Sequence, residues 1–150
     1  NKGVEDIALA LKKLVRLSEL ILNFYACSRI QDKAVEALCA SLDSLENLEF
    51  LDINLYDCVQ ITDKSIQRIS SRISGLKNLK TLNLKFSNAK GISSEGIQIL
   101  ANALKEHEKL SEINLTLKCP FLTEDVLQNI LHPPSMKVKQ DREGFLIQKV

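Results

Sequence analysis

The sequence predicts an α/β fold assembled from stacked strand–loop–helix units. Three observations carry this. Aliphatic residues return at one constant spacing, as in the even series Leu17, Leu48, Leu79 and Leu110. Inside each period the apolar pattern switches from alternation to helical spacing. Leu (25 copies) and Ile (14 copies) supply about a quarter of the 150 residues, against 5% aromatics and no Trp, so the core must be built from branched aliphatic layers.

The units open at those four leucines, as LSELILNF, LEFLDINL, LKTLNLKF and LSEINLTL. Each obeys L-x-x-L-x-L-x-Φ, where Φ is aliphatic or Phe and Ile can replace Leu. Leu51, Ile53 and Leu55 alternate with polar residues, the signature of a strand with one buried face. Ile66, Ile69 and Ile73 then recur at helical spacing. Further columns hold the register: Ile30, Ile61 and Ile92; Val35, Ile66, Ile97 and Leu127; Leu38, Ile69, Leu100 and Ile130. Thr62, Ser93 and Thr123 precede the helical segments, where a hydroxyl caps free backbone N–H groups. One unit cannot bury its apolar face alone, whereas stacked units bury a continuous core.

Val4, Ile7, Leu11 and Leu14 lie one full period before Val35, Leu38, Leu42 and Leu45 and extend the columns backward. Residues 1–16 therefore read as the helical half of an earlier unit, with full repeats from 17, 48, 79 and 110 running to 132. The chain starts at Asn and reads as a piece of a longer repeat array. After His132-Pro133-Pro134, which ends the last helix, Met136 and Val138 alternate with Lys137 and Lys139. Residues 133–150 are expected to form a β-hairpin that caps the core.

These units resemble leucine-rich repeats over nearly all of residues 4–131. The stretch Ile53-x-Leu55-x-x-Cys58-x-x-Ile61-Thr62-Asp63 resembles the cysteine-containing subtype, familiar from the substrate-binding half of F-box proteins. The first unit keeps Leu22, Phe24, Cys27, Ile30 and Asp32; the third has Ala89 and the fourth Pro120 away from that pattern. The helices and unit length also resemble the ribonuclease-inhibitor-like subclass, of which long arrays occur in protist proteins and ciliary scaffolds. The resemblance implies a right-handed solenoid, a horseshoe segment with a parallel sheet on its concave face and helices on its convex face. The right-handed crossover of strand–helix–strand units supports the same hand. The resemblance also implies binding rather than catalysis.

Strand alternation turns half of the side chains out of the core. Three columns face outward: Glu19, Phe50, Thr81 and Glu112; Ile21, Asp52, Asn83 and Asn114; Asn23, Asn54, Lys85 and Thr116. Just beyond stand Tyr25, Tyr56, Ser87 and Lys118. Phe50, Tyr25, Tyr56 and Ile21 cluster on the first two strands, and aromatic anchors of this kind dominate protein interfaces. The expected site is a protein-binding grid on this face. The competing structural role is Asn and Thr ladders that fill a solvated sheet.

Composition excludes other classes. Twenty Lys+Arg against 19 Asp+Glu leave a net charge of +1, without the basic excess that nucleic-acid binding by bulk charge requires. No apolar run has the length of a membrane span. The four cysteines, Cys27, Cys39, Cys58 and Cys119, show no zinc spacing, and reduced thiols of an intracellular protein are expected. Cys27 and Cys58 share a column that reads as a structural ladder. No nucleophile motif accompanies His107 or His132, so no enzyme, cofactor or metal is expected; His107 is placed to meet the free carbonyls at the end of its helix. Lys12, Lys13, Arg16, Arg68 and Arg72 lie among Glu5, Glu36 and Glu95 and read as a solvated convex face. The sequence thus favours a module that binds a protein partner from the cytoplasm, with cytoskeletal and ciliary settings open. The alternatives are, in order, a structural subunit of a large complex, a ubiquitin-ligase substrate receptor and a regulator of a small GTPase.

Overall fold

The computed structural model describes residues 2–118, Thr123, and the backbone of Met136–Asp141 and Gly144–Lys149. Elements follow in the order α1 (Lys2–Leu11), β1 (Glu19–Asn23), α2 (Asp32–Ser41), β2 (Phe50–Tyr56), α3 (Asp63–Gly75), β3 (Thr81–Ser87), α4 (Ser94–Glu106), β4 (Glu112–Lys118), β5 (Met136–Asp141) and β6 (Gly144–Lys149). A short 3-10 turn, Leu42–Ser44, extends α2.

β1 to β4 pair in parallel in chain order, and the partners are offset by one repeat period throughout: Leu20 with Leu51, Leu51 with Leu82, Leu82 with Ile113. The repeat of the sequence is therefore the register of the sheet. β6 joins β4 antiparallel, and β5 pairs with β6 at the far edge, giving the order β1-β2-β3-β4-β6-β5. The expected hairpin forms as backbone. The helix expected before it, with Leu127, Ile130 and His132, lies outside the described residues, as does Cys119.

One core joins the sheet to the helices. Leu51, Ile53, Leu55, Leu82, Leu84, Phe86, Ile113, Leu115 and Leu117 face Val35, Leu38, Ile66, Ile69, Ile73, Ile97, Leu100 and Leu104, all buried. Successive helices pack on one another, α1 on α2, α2 on α3 and α3 on α4. Thr62 caps α3 by accepting from Lys64 N–H, and Ser93 caps α4 by accepting from Glu95 and Gly96 N–H. α2 starts at Gln31 without a side-chain cap.

The units are also tied to one another by polar bonds, each spanning about one period. Asp32 accepts from Thr62 N–H at 2.8 Å, Thr62 Oγ1–H at 2.7 Å and Ser65 Oγ–H at 2.6 Å. Asp63 repeats this one unit on, accepting from Ser93 N–H at 2.8 Å and its hydroxyl at 2.6 Å. Ser65 has Gly96 as its equivalent, and a Cβ there would stand 2.0 Å from Asp63 Oδ1, so the carboxylate occupies the space a side chain would need. Asn47 donates to Val15 C=O and Asn78 to Glu46 C=O, at 3.1 and 2.8 Å. On the outer helices Arg68 pairs with Glu36 and Arg72 with Asp43. Exposed pairs of this kind contribute about 0–1 kcal/mol.

One column differs in its surroundings, and one expectation is corrected. Ile7 and Leu14 share columns with buried Leu38 and Leu45 but are themselves exposed, because no unit covers their outer side among the described residues. The His107 ring reaches beyond its own helix to the preceding unit. It stands in the column of Leu45 and Leu76 and is buried; Nδ1 accepts from Leu110 N–H at 3.1 Å, so Nε2 carries the proton and donates to Leu76 C=O at 3.0 Å. Its role is to join two units.

Candidate functional site

The site follows from the sheet face turned away from the helices. Parallel strands about 4.8 Å apart set Glu19, Ile21 and Asn23 beside Phe50, Asp52 and Asn54, then Thr81, Asn83 and Lys85, then Glu112, Asn114 and Thr116. Of the outward positions on β1, Glu19, Ile21 and Asn23 are all exposed, whereas those of β2 and β3 are half-buried. On β4 Glu112 is exposed, and Asn114 and Thr116 are half-buried.

The centre of the grid is a polar line. Asn83 donates to Asp52 Oδ2 at 3.1 Å, and Asn114 donates to Asn83 Oδ1 at 2.9 Å and to Glu112 Oε1 at 3.3 Å. This is the ladder expected of a solvated sheet, and it presents a fixed order of carboxylate and amides. Ile21 occupies the same column and ends the line with an exposed apolar group, 67% accessible.

At the carboxyl ends of β1 and β2 the arrangement changes. Asn23 Oδ1 accepts from Tyr25 N–H, and Asn54 Oδ1 from Tyr56 N–H, each at 3.0 Å. These two amides brace the turn, so their oxygens are engaged by the chain itself. The turns hold Tyr25 and Tyr56 stacked, with ring centroids 5.4 Å apart and planes 16° from parallel. Tyr25 is 59% accessible. Lys85 replaces the bracing Asn in the third unit, and Ser87 replaces the Tyr; Ser87 is buried. Its hydroxyl instead accepts from Asp57 N–H and donates to Asp57 Oδ1, both at 3.3 Å, and Asn88 Nδ2 donates to the same carboxylate.

Directly after the tyrosine column the backbone takes a left-handed turn at Ala26, Asp57 and Asn88, with φ of 57°, 61° and 54°. Asp and Asn tolerate this conformation, and their recurrence at one column was a signal available in the sequence. Val59, exposed on the loop after β2, was not anticipated; it belongs to no repeated column of apolar residues.

The cysteine column behaves as a ladder. Cys58 is fully buried and its Sγ–H donates to Phe24 C=O at 3.3 Å. Burial pushes the Cys39 and Cys58 thiols up to about 11, so both stay protonated and weakly nucleophilic at neutral pH. Cys27 is exposed, and all three are free thiols. Among the described residues no group of His, Cys, Asp and Glu is placed to hold a metal ion, and no helix is long and apolar enough to cross a membrane.

No family model and no curated protein matches the chain. Among solved structures it is similar to the tropomodulin C-terminal domain of Caenorhabditis elegans, at 14% identity and a TM-score of 0.46, covering 86% of this chain and 91% of that one. A likeness at that distance carries no argument about function.

Proposed function

We propose that the chain is a segment of a right-handed leucine-rich-repeat solenoid of the ribonuclease-inhibitor-like or cysteine-containing type, and that it binds a protein partner on the outward, concave face of its sheet. The observation that carries this reading is the pairing of two unlike surfaces on one rigid sheet. The stacked tyrosines and Ile21 offer apolar anchors, and the Asp52–Asn83–Asn114 line beside them offers ordered donors and acceptors. Interfaces combine these features: a few aromatic hot spots surrounded by satisfied polar groups. Binding, rather than chemistry, is the role this surface suits, and the partner is a protein met in the cytoplasm.

Crosslinking of the parent protein in its native cells, read by mass spectrometry, tests this. Lys85 and Lys118 are the sheet-face amines, and Lys12, Lys33 and Lys64 stand on or beside the helices. Crosslinks from the first pair to one partner, lost in the Tyr25→Ser/Tyr56→Ser variant, are the expected result. Crosslinks spread over the helical lysines to several stable subunits would instead make the chain a building block of a larger assembly.

A further inference from the structure

The two ends of the strands carry opposite charge. Where the chain enters the sheet in the second, third and fourth units, at residues 48–52, 79–83 and 110–114, it places the carboxylates Glu49, Asp52 and Glu112 against one ammonium, Lys80. Where it leaves, at 54–61, 85–92 and 116–118, the balance reverses, and Lys85, Lys90 and Lys118 stand against Asp57 alone.

The entry charges all have partners within the protein. Lys80 Nζ donates to Glu49 at 2.8 Å, Asn83 donates to Asp52 at 3.1 Å, and Asn114 donates to Glu112 at 3.3 Å. At the exit end the carboxylate is likewise engaged, since Asn88 Nδ2 and Ser87 Oγ donate to Asp57. The ammonium groups of Lys85, Lys90 and Lys118 are not. Among the described residues they form no ion pair and donate no hydrogen bond. Three cations on one side of a sheet thus lack the counter-charges that the other side supplies to itself.

Apolar groups stand among these cations. Tyr56, Ser87 and Lys118 are register partners in one row across β2, β3 and β4, and Lys85 stands one alternation back on β3. Tyr56 is held by its stack on Tyr25. Val59 is exposed, at the place in its loop that Lys90 takes in the next. With strands about 4.8 Å apart and alternate residues about 7 Å apart, Lys85 and Lys118 leave the sheet about 8 Å from one another. Separate cations at that spacing suit separate carboxylates, which on alternate residues of an extended chain also stand about 7 Å apart. A single phosphate group instead calls for donors converging on one point.

We propose that the protein segment bound on this face is acidic. It lies across the exit ends of β2 to β4, with an apolar side chain against Tyr56 and Val59 and carboxylates at Lys85, Lys90 and Lys118. The proposal rests on the binding role assigned to the sheet face above and names the chemistry of the partner. The entry carboxylates repel the same segment, so the charge difference sets where on the sheet it settles as well as how fast it arrives.

The probe is the synthetic peptide EEDFEELEE, titrated into the ¹⁵N-labelled 150-residue chain. The peptide KKRFKKLKK and an oligothymidylate of equal length serve as controls. Saturable shifts of the Tyr56, Val59, Lys85, Lys90 and Lys118 amides are expected with the acidic peptide alone. Binding should weaken about tenfold between about 20 and about 200 mM salt. Lys85→Glu/Lys118→Glu should weaken it about tenfold as well. Lys85→Gln/Lys118→Gln should give a smaller loss in the same direction and guards against a folding defect in the reversed pair. Lys12→Glu/Lys33→Glu, an equal charge change away from the sheet, should bind as the parent chain does. The proposal is overturned if the acidic peptide shifts none of the exit residues, if the cationic peptide or the oligothymidylate binds them as tightly, or if the charge-reversed chain binds as well as the parent. A native partner that crosslinks to Lys85 and Lys118 in the parent chain, yet binds the charge-reversed chain equally well, would overturn the acidic chemistry and leave the face as a binding site. Crosslinks confined to the helical lysines would overturn the face itself.

Discussion

The first and third units of the stack carry the same pattern in different surroundings. Leu22 and Leu84 share a column, yet Leu84 is fully buried and Leu22 only partly. Cys27 is exposed where Ala89 is fully buried, and Tyr25 is exposed where Ser87 is buried. Local conformation is nevertheless the same: both strands pair in register, and Ala26 and Asn88 both take the left-handed turn. A neighbour on one side suffices to fix the backbone of a unit. A neighbour on each side is what closes its core.

The largest expected effect comes from the shared leucine column. Leu84→Ala should cost about 2–5 kcal/mol, the range for a fully enclosed Leu. Leu22→Ala should cost less than about 2 kcal/mol, because its site is already open to water on one side. Denaturant unfolding of both variants measures the difference, and equal costs would break the comparison.

Gly96→Ala comes next, at about 1–3 kcal/mol. The new methyl group displaces Asp63 from Ser93 and so loosens the junction between the second and third units. A neutral outcome would show that the carboxylate swings aside at no cost.

Asp32 holds the junction of the first and second units. Burial raises its pKa, but the hydrogen bonds from Ser65 and Thr62 outweigh that and bring it below the ordinary 3.8. A carboxylate lowered in the folded state contributes stability above its unfolded pKa and loses it as pH falls through the lower folded value. Asp32→Asn should therefore cost about 1–2 kcal/mol at neutral pH, discounted for partial exposure. The gap from the parent chain should be level above about pH 5 and close below 3.8. A gap that persists unchanged to about pH 2.5 would assign the loss to shape rather than charge.

The smallest effect is a gain. Ala26 carries a Cβ in the left-handed region, which costs about 1–2 kcal/mol, whereas Asn88 is suited to it. Ala26→Gly should stabilise the chain by about 0.5 kcal/mol once the greater freedom of glycine in the unfolded state is counted, visible as a small rise in Tm.

Much of this fold was legible in the sequence because the columns of the repeat are at once sequence periods and strand partners. Alternation within Leu51–Leu55 predicted which side chains face inward. The column rule places Ile7 and Leu14 in the repeat but does not set their burial, since no unit covers their outer side among the described residues. It also missed His107, since a polar residue in a leucine column gives no hint that two backbone groups of adjacent units will satisfy its ring. The outward columns of the site were legible as a face. That Asn23 and Asn54 would spend their amide oxygens bracing Tyr25 and Tyr56 was not, because the pattern specifies which way a side chain points and leaves its choice of partner to the turn.

The bonds between units have a consequence for how such a chain changes over generations. Asp32 to Thr62, Asp63 to Ser93, Asn47 to Val15 and Asn78 to Glu46 each join residues about one period apart. Loss of a single residue inside a unit displaces every such bond that crosses it. Loss or duplication of one whole period, from any starting point between matched columns, regenerates them all. Unequal exchange between like stretches of the coding sequence is thus the length change this architecture tolerates best, and the array is built to grow or shrink by whole units.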